Sequence, residues 1–178
     1  MTEIEVKVID VDVEKIKQKL MNLNAKLVKM EEQENYFFDL PTGNKEGYIR
    51  IRKTTSLIDL SQNIQITIKK IISKDEVRST VETNLEINSI EDGIKFLTEL
   101  GLKQTKKAFK YRESYLLQNA LIEFDTWNKE EYPHPYIEIE GEKESIIKLI
   151  KLLEISPLNV TSKSLDEIKK EKGFTAIT

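Results

Sequence analysis

Residues 3–7 read EIEVK, and how those five positions are read decides the architecture. Side chains alternate across a β-strand, so Glu3, Glu5 and Lys7 fall on one face while Ile4, Val6 and Val8 fall on the other. Alone, such a strand belongs to an ordinary antiparallel sheet with one wet side. The pattern recurs along the chain, however. YIRIRK sets Arg50 and Arg52 against Ile49 and Ile51, and NIQITIKK sets Gln65, Thr67 and Lys69 against Ile64, Ile66 and Ile68. VETNLEI sets Glu82, Asn84 and Glu86 against Val81, Thr83, Leu85 and Ile87. AFKYR gives Lys110 and Arg112 one parity, LIEFDTW sets Glu123 and Asp125 against Ile122 and Phe124, and YIEIEG sets Glu138 and Glu140 against Ile137 and Ile139.

A merely solvated sheet face mixes Ser, Thr, Lys and Glu loosely, whereas these polar positions are dense in Glu, Asp, Arg and Lys. The aliphatic faces supply what amphipathic helices need to cover. Helical spacing predicts such helices over 12–24, with Asp12 as N-cap, over 89–100, with a capping-box start at Ser89 and a stop at Gly101, over 143–154, and more weakly over 163–172. Strands are expected near 2–10, 26–39, 47–55, 63–72, 77–88, 103–118, 120–127 and 135–141. Turns separate several of them at 41–47, 73–76 and Asn119, and 56–62 reads as a loop or hairpin tip. Strand, helix and long strand occur at 3–39 and again at 82–118, a loose internal echo. No Pro/Gly linker divides the chain, so one domain over 1–172 with a flexible tail at 173–178 is expected. The apolar stripe Ile146, Ile147, Leu149, Ile150 and Leu153 suits a core or a dimer surface, leaving monomer and homodimer both open.

The fold class that follows is α+β: an eight-stranded antiparallel β-barrel with amphipathic helices packed outside. Its charged interior has to hold water, metal and ligand, because an unpaired buried charge costs several kcal/mol. Arginines and lysines suit a chain of phosphates, with Arg offering bidentate contacts. The acids Glu3, Glu5, Asp125, Glu138 and Glu140 suit hard divalent cations that bridge phosphate oxygens.

Composition narrows the chemistry further. With 28 basic and 31 acidic residues and a net charge of −3, the chain has no basic excess of the kind that marks a nucleic-acid binder. A small anion remains compatible, since it responds to the local field. The absence of cysteine excludes disulfides, thiolate catalysis and Cys-ligated zinc, and the single histidine, His134, reads as a loop residue between two prolines. Any metal site is therefore built from carboxylates, which favours Mg²⁺, Mn²⁺ or Ca²⁺. The charged N-terminus and the lack of a long apolar run lead to the expectation of a cytoplasmic protein with no membrane partner.

The ordered company of these motifs resembles the CYTH superfamily, the triphosphate tunnel metalloenzymes that include class IV adenylate cyclases and thiamine triphosphatases. The ExExK signature is Glu3, Glu5 and Lys7; ENYFFD at 34–39, YIRIRK, TIKK at 67–70, the KxR of Lys110 and Arg112, FDTW at 124–127 and YIEIEG follow in order. The resemblance implies a tunnel that binds a small-molecule triphosphate with Mg²⁺ or Mn²⁺. It implies that Lys7, Arg50, Arg52, Lys69, Lys110 and Arg112 hold phosphates, with Glu82 and Lys163 as further substrate contacts. Metal would fall to Glu3, Glu5, Asp125, Glu138 and Glu140, and the catalytic roles to Glu5, Lys7 and Asp125. Two positions depart from the family pattern: Asn84 stands where many relatives carry a second acid, and Ser164-Leu165 replaces a Ser-Tyr pair. Hydrolysis of a triphosphate (inorganic tripolyphosphate, thiamine triphosphate or a nucleoside triphosphate), cyclisation of ATP, and polyphosphate or nucleotide binding without turnover all fit such a lumen. The aromatics Tyr36, Phe37, Phe38, Tyr48 and Trp127 read equally well as core, with Trp127 a speculative stacking partner for an organic group.

Overall fold

The helices begin where the sequence supplies an oxygen for their unpaired N–H groups. Asp12 accepts from the Lys15 amide at 3.1 Å, Ser89 from the Asp92 amide at 3.1 Å, and Ser164 and Glu167 satisfy each other reciprocally. In the computed structural model, which describes residues 2–41 and 47–174, these caps open α1 (Val13–Asn22), α2 (Ile90–Glu99) and α4 (Leu165–Glu171); α3 spans Lys143–Leu152. The strands are β1 (Thr2–Val8), β2 (Lys26–Phe38), β3 (Gly47–Ser56), β4 (Gln62–Lys74), β5 (Arg78–Glu86), β6 (Gln104–Leu117), β7 (Ala120–Trp127), β8 (Tyr136–Glu140) and the short β9 (Val160–Thr161). Most of the expected turn at 41–47 and the last residues of the expected tail lie outside the described residues. Among the described residues, no helix is long and apolar enough to cross a membrane.

The strands run in the order β5-β4-β3-β2-β6-β7-β8-β1, every neighbour antiparallel, and β5 pairs back onto β1 to close an eight-stranded barrel. Closure removes the open sheet edges that would otherwise invite aggregation. β1 is the seam. Its first half pairs with β5 (Glu5 opposite Arg78), its second half with β8 (Glu5 opposite Glu140), and β9 takes the edge that β5 leaves free (Lys7 opposite Thr161). The sequence pattern did not reveal β9, because two residues are too few to show a period.

The aliphatic faces point outward beneath the helices. Val6, Val8, Ile122, Ile137 and Ile139 meet Ile16 and Leu20 of α1 and Ile146 and Leu149 of α3. Phe38, Ile49, Ile51 and Ile66 meet Leu97 of α2. Gly93 lets α2 come close: a Cβ there would lie 2.6 Å from Ile87 and 3.0 Å from Ile51. Of the stripe on α3, Ile146, Leu149 and Leu153 are core, while Ile147 faces outward. α4 caps one mouth of the barrel, with Ile168 packed on Tyr132 and Tyr136.

If helix-on-barrel packing stabilises the closed form, Leu149→Ala, which opens a void at a position with no exposure, will cost about 2–5 kcal/mol in urea unfolding. Leu158→Ala, at a position 94% exposed, will stay within about 0.5 kcal/mol of the parent.

Candidate active site in the barrel tunnel

The other parity of the strands lines a tunnel of about 960 Å³. Its charged members are deeply placed: Glu5, Lys7, Arg50, Lys69, Lys110 and Asp125 are each buried. The two signs come from different strands. β3 and β4 contribute Arg50, Arg52, Thr67 and Lys69, β6 contributes Lys110 and Arg112, and β2 adds the amides of Gln33 and Asn35. Carboxylates come from β1 (Glu3, Glu5), β5 (Glu82), β7 (Glu123, Asp125) and β8 (Glu138, Glu140), with Lys7 and Arg78 set among them.

Most of these charges are paired. Lys7 reaches Glu5 at 3.0 Å and Glu138 at 2.9 Å; Lys69 reaches Glu3 at 3.0 Å, Glu82 at 3.1 Å and Glu5 at 3.5 Å. Arg112 binds both oxygens of Asp125 at 2.6 Å, touches Glu138 at 2.7 Å and pairs with Glu123. Lys110 adds a contact of 2.9 Å to Asp125. Both Asp125 oxygens thereby accept from these cations, which makes it the anchor of Lys110 and Arg112. Burial works against ionisation of Glu5, yet Lys7 beside it, with Lys69 and Arg78, brings its pKa down to about 2. Burial likewise opposes charge on Glu138, and Lys7 and Arg112 hold it well below the usual carboxylate range.

Three places in the wall depart from this balance. Arg50 and Arg52 lie within electrostatic reach of Glu82, whose pKa they help to lower after Lys69, and Arg52 donates to the Asn35 side-chain oxygen at 2.8 Å. Burial together with Arg50 and Arg112 pushes Arg52 down to about 9. Nε of Arg50, the hydroxyl of its direct cross-strand neighbour Thr67, and Oε1 of Gln33 are buried without a hydrogen-bond partner. Orphaned groups of this kind cost about 1–3 kcal/mol each, a deficit that an entering oxyanion relieves for the donors. Lys110 is the second, lowered to about 7 by burial and then by Arg112. Glu140 is the third, raised to about 7 by burial and by Glu3, Glu123 and Glu5 nearby.

An acid held near neutrality by other acids is what a divalent cation relieves, and an all-oxygen donor set is the kind that Mg²⁺ and Mn²⁺ take. As arranged, no three carboxylates among the described residues meet at a single coordination point, because Lys7, Lys69, Arg78 and Arg112 occupy their oxygens. A bound cation would have to displace ammonium or guanidinium groups, which phosphate could receive.

Of the residues singled out in the sequence, Glu3, Glu5, Lys7, Arg50, Arg52, Lys69, Glu82, Lys110, Arg112, Glu138 and Glu140 line the tunnel, with Asp125 behind two of them. Lys163 does not join them. Its ammonium sits on Glu171 at 2.7 Å, on the exposed side of α4, because the capping box at Ser164 turns the chain before the helix begins; Lys170 reaches the mouth instead. Asn84 is exposed, while Leu165 borders the mouth. The aromatics divide. Phe38 is core, whereas Phe37, Tyr48 and Trp127 line the wall, with Lys106 lying 4.9 Å from the Phe37 ring centre and Lys110 lying 5.1 Å from that of Trp127. Arg78 lines the tunnel too and was missed, although Arg78, Thr80 and Glu82 share one parity.

A family model described as the CYTH domain matches residues 1–167. Among solved structures, the PH1012 protein of Pyrococcus horikoshii OT3 is 28% identical, with a TM-score of 0.77 over 93% of this chain and 98% of that one. A Vibrio parahaemolyticus protein assigned as an adenylate cyclase is 12% identical with a TM-score of 0.76, over 96% of this chain and 98% of its own. The Hippeastrum protein HpAC1, described as having a dominant triphosphatase activity, is 16% identical with a TM-score of 0.64, covering 97% of this chain and 95% of its own. The last two share the fold; at that identity nothing more follows. Comparison with curated proteins gave no match.

Glu140 provides a pH test. Its folded pKa, about 7, lies above the ordinary 4.5, so its contribution to stability is full below 4.5 and lost as pH rises through 7. Glu140→Gln should therefore melt at a higher temperature than the parent above pH 7 and at about the same temperature below pH 4.5. Added Mg²⁺ should raise the parent's melting temperature above pH 7 by more than the variant's; thermal melts at the two pH values check both.

Proposed function

The chain belongs to the CYTH family, whose triphosphate tunnel enzymes use divalent metals, and from that membership we propose that this protein hydrolyses a triphosphate. The observation that carries the reading is the cationic wall of β3. Arg50 and Arg52 both line the tunnel, and the Arg50 Nε and the hydroxyl of Thr67, its cross-strand neighbour on β4, are buried without hydrogen-bond partners. Two guanidinium groups two residues apart on one strand face are spaced for neighbouring phosphoryl groups, and Arg presents its N–H fork to such oxygens.

Phosphoryl transfer needs little covalent help from a protein; positioning and charge neutralisation do most of the work. Arg50, Arg52 and Lys69 would hold the phosphate chain, with Lys7, Lys110 and Arg112 further along the tunnel. Asp125 fixes the last two of these through both its oxygens. Glu3, Glu5, Glu138 and Glu140 would hold Mg²⁺ or Mn²⁺, which when bound would supply positive charge to offset the charge that develops on the phosphate oxygens. Lys110 Nζ, with its pKa near 7, changes protonation in the neutral range beside Asp125 and can hold a proton at the tunnel wall during turnover.

A second reading, cyclisation of ATP with release of pyrophosphate, draws on Phe37, Tyr48 and Trp127, which line the same tunnel and could receive a nucleobase. One assay separates the two. With Mg²⁺ or Mn²⁺, and inorganic tripolyphosphate, thiamine triphosphate and ATP offered in turn, phosphate should be released from at least one. Glu5→Gln and Arg50→Gln should each lower kcat/KM on the order of 10²-fold, the scale of losing one charge-stabilising group. Cyclic AMP from ATP would transfer the assignment to a cyclase, and no turnover of any of the three would overturn hydrolysis.

A further inference from the structure

Arg78 belongs to none of the motifs that the family resemblance carries, yet it occupies the seam on which the barrel closes. It opens β5, faces Glu5 of β1 on one side and Lys74 of β4 on the other, and is 5% exposed. One guanidinium nitrogen, Nη1, donates to Glu5 Oε1 at 3.2 Å, while Nε, equally buried, has no hydrogen-bond partner. Arginine–carboxylate pairs are frequently bidentate, as Arg112 is with Asp125. Arg78 instead touches Glu5 with one nitrogen and leaves Nε uncommitted in a tunnel wall.

We propose that Arg78 is a positioning residue that links the acid wall to the phosphate chain: it pairs with Glu5 in competition with a divalent cation, and its uncommitted edge takes a phosphoryl oxygen of the substrate. This rests on the triphosphate reading of the tunnel. Glu5 does not depend on Arg78 alone, since Lys7 lies 3.0 Å and Lys69 3.5 Å from the same carboxylate. Arg78 can therefore turn towards an anion without stranding a buried charge. A divalent cation on Glu5 would repel the neighbouring guanidinium, and a phosphate oxygen would receive it. The two ligands thus pull Arg78 in one direction, and its removal acts on them oppositely. Phosphate loses a charge-assisted donor, whereas a divalent cation loses a competitor for Glu5.

The test is calorimetric titration of inorganic tripolyphosphate, and separately of Mn²⁺, into the parent, Arg78→Gln, Arg78→Lys and Arg50→Gln, with thermal melts of each. The proposal predicts that Arg78→Gln weakens tripolyphosphate by about tenfold or more while binding Mn²⁺ at least as tightly as the parent. Arg78→Lys, which keeps the charge but not the planar fork, should melt near the parent and recover only part of the tripolyphosphate affinity. Tripolyphosphate binding within about twofold of the parent in Arg78→Gln, with Arg50→Gln impaired, would overturn the role of Arg78 and leave the tunnel reading standing. Joint loss of both ligands and of thermal stability in Arg78→Gln, fully restored in Arg78→Lys, would make Arg78 a clip for the seam and also overturn the proposal. A parent that binds no tripolyphosphate would overturn the tunnel reading itself.

Discussion

An ionised side chain removed from water needs an opposite charge or a hydrogen-bonding partner, and that constraint shapes the whole molecule. All eight barrel strands contribute acids or bases to the tunnel lining, so the barrel cannot collapse around a dry interior. The solution is a tunnel in which most lumen charges neutralise one another. Lys7 bridges Glu5 and Glu138, Lys69 bridges Glu3 and Glu82, and Arg112 gathers Asp125, Glu138 and Glu123. The apolar free energy that folds the chain is consequently collected on the outside, where the aliphatic faces of the same strands lie under α1, α2 and α3. Inner ionic wall and outer hydrophobic shell are two consequences of a single period-two pattern.

Neutralisation is incomplete in places with chemical meaning. The Arg50 Nε and the Thr67 hydroxyl beside it are buried without hydrogen-bond partners, and Glu140 is held high by burial and by Glu3, Glu123 and Glu5. An excess of positive charge on one part of the wall and of negative charge on another is the complement of an anionic chain carrying a divalent cation. Glu5 ties this arrangement to the fold. It is the residue of β1 that pairs with β5 on one edge, at Arg78, and with β8 on the other, at Glu140, so the closure of the barrel and the position of the acid are set by the same backbone pairing.

The architecture was legible because it is written in long repeats. Alternation within strands such as β4 (Gln62–Lys74) and β8 (Tyr136–Glu140), and caps at Asp12 and Ser89, leave little room for other periods, and the barrel follows from asking where helices could lie. The lumen residues were legible for the same reason, since parity alone assigns Lys69, Arg112 and Glu138 to the inside. What stayed hidden depends on tertiary contacts or short segments. β9 is two residues long, and its place follows from which edge of β1 is left open. Lys163 looked like a cation for the tunnel mouth, but a local cap and Glu171 decide its direction. Phe37 and Phe38 are adjacent and identical in type, and only closure tells which faces the lumen and which the core. Arg78 could have been found by extending the parity of Glu82 backward by four residues, to the first residue of the strand.

The central claim is that the ionic lumen is a site for a metal and a polyphosphate, and not merely an ionic core. The most direct measurement is a crystal structure with Mn²⁺ and inorganic tripolyphosphate, with anomalous scattering recorded for the metal. The account predicts a manganese peak within coordinating distance of Glu5, Glu138 or Glu140 and phosphate density against Arg50 and Arg52. A tunnel whose Lys7, Lys69 and Arg112 ion pairs are unchanged, with manganese and phosphate absent or confined to the outer surface, would contradict it.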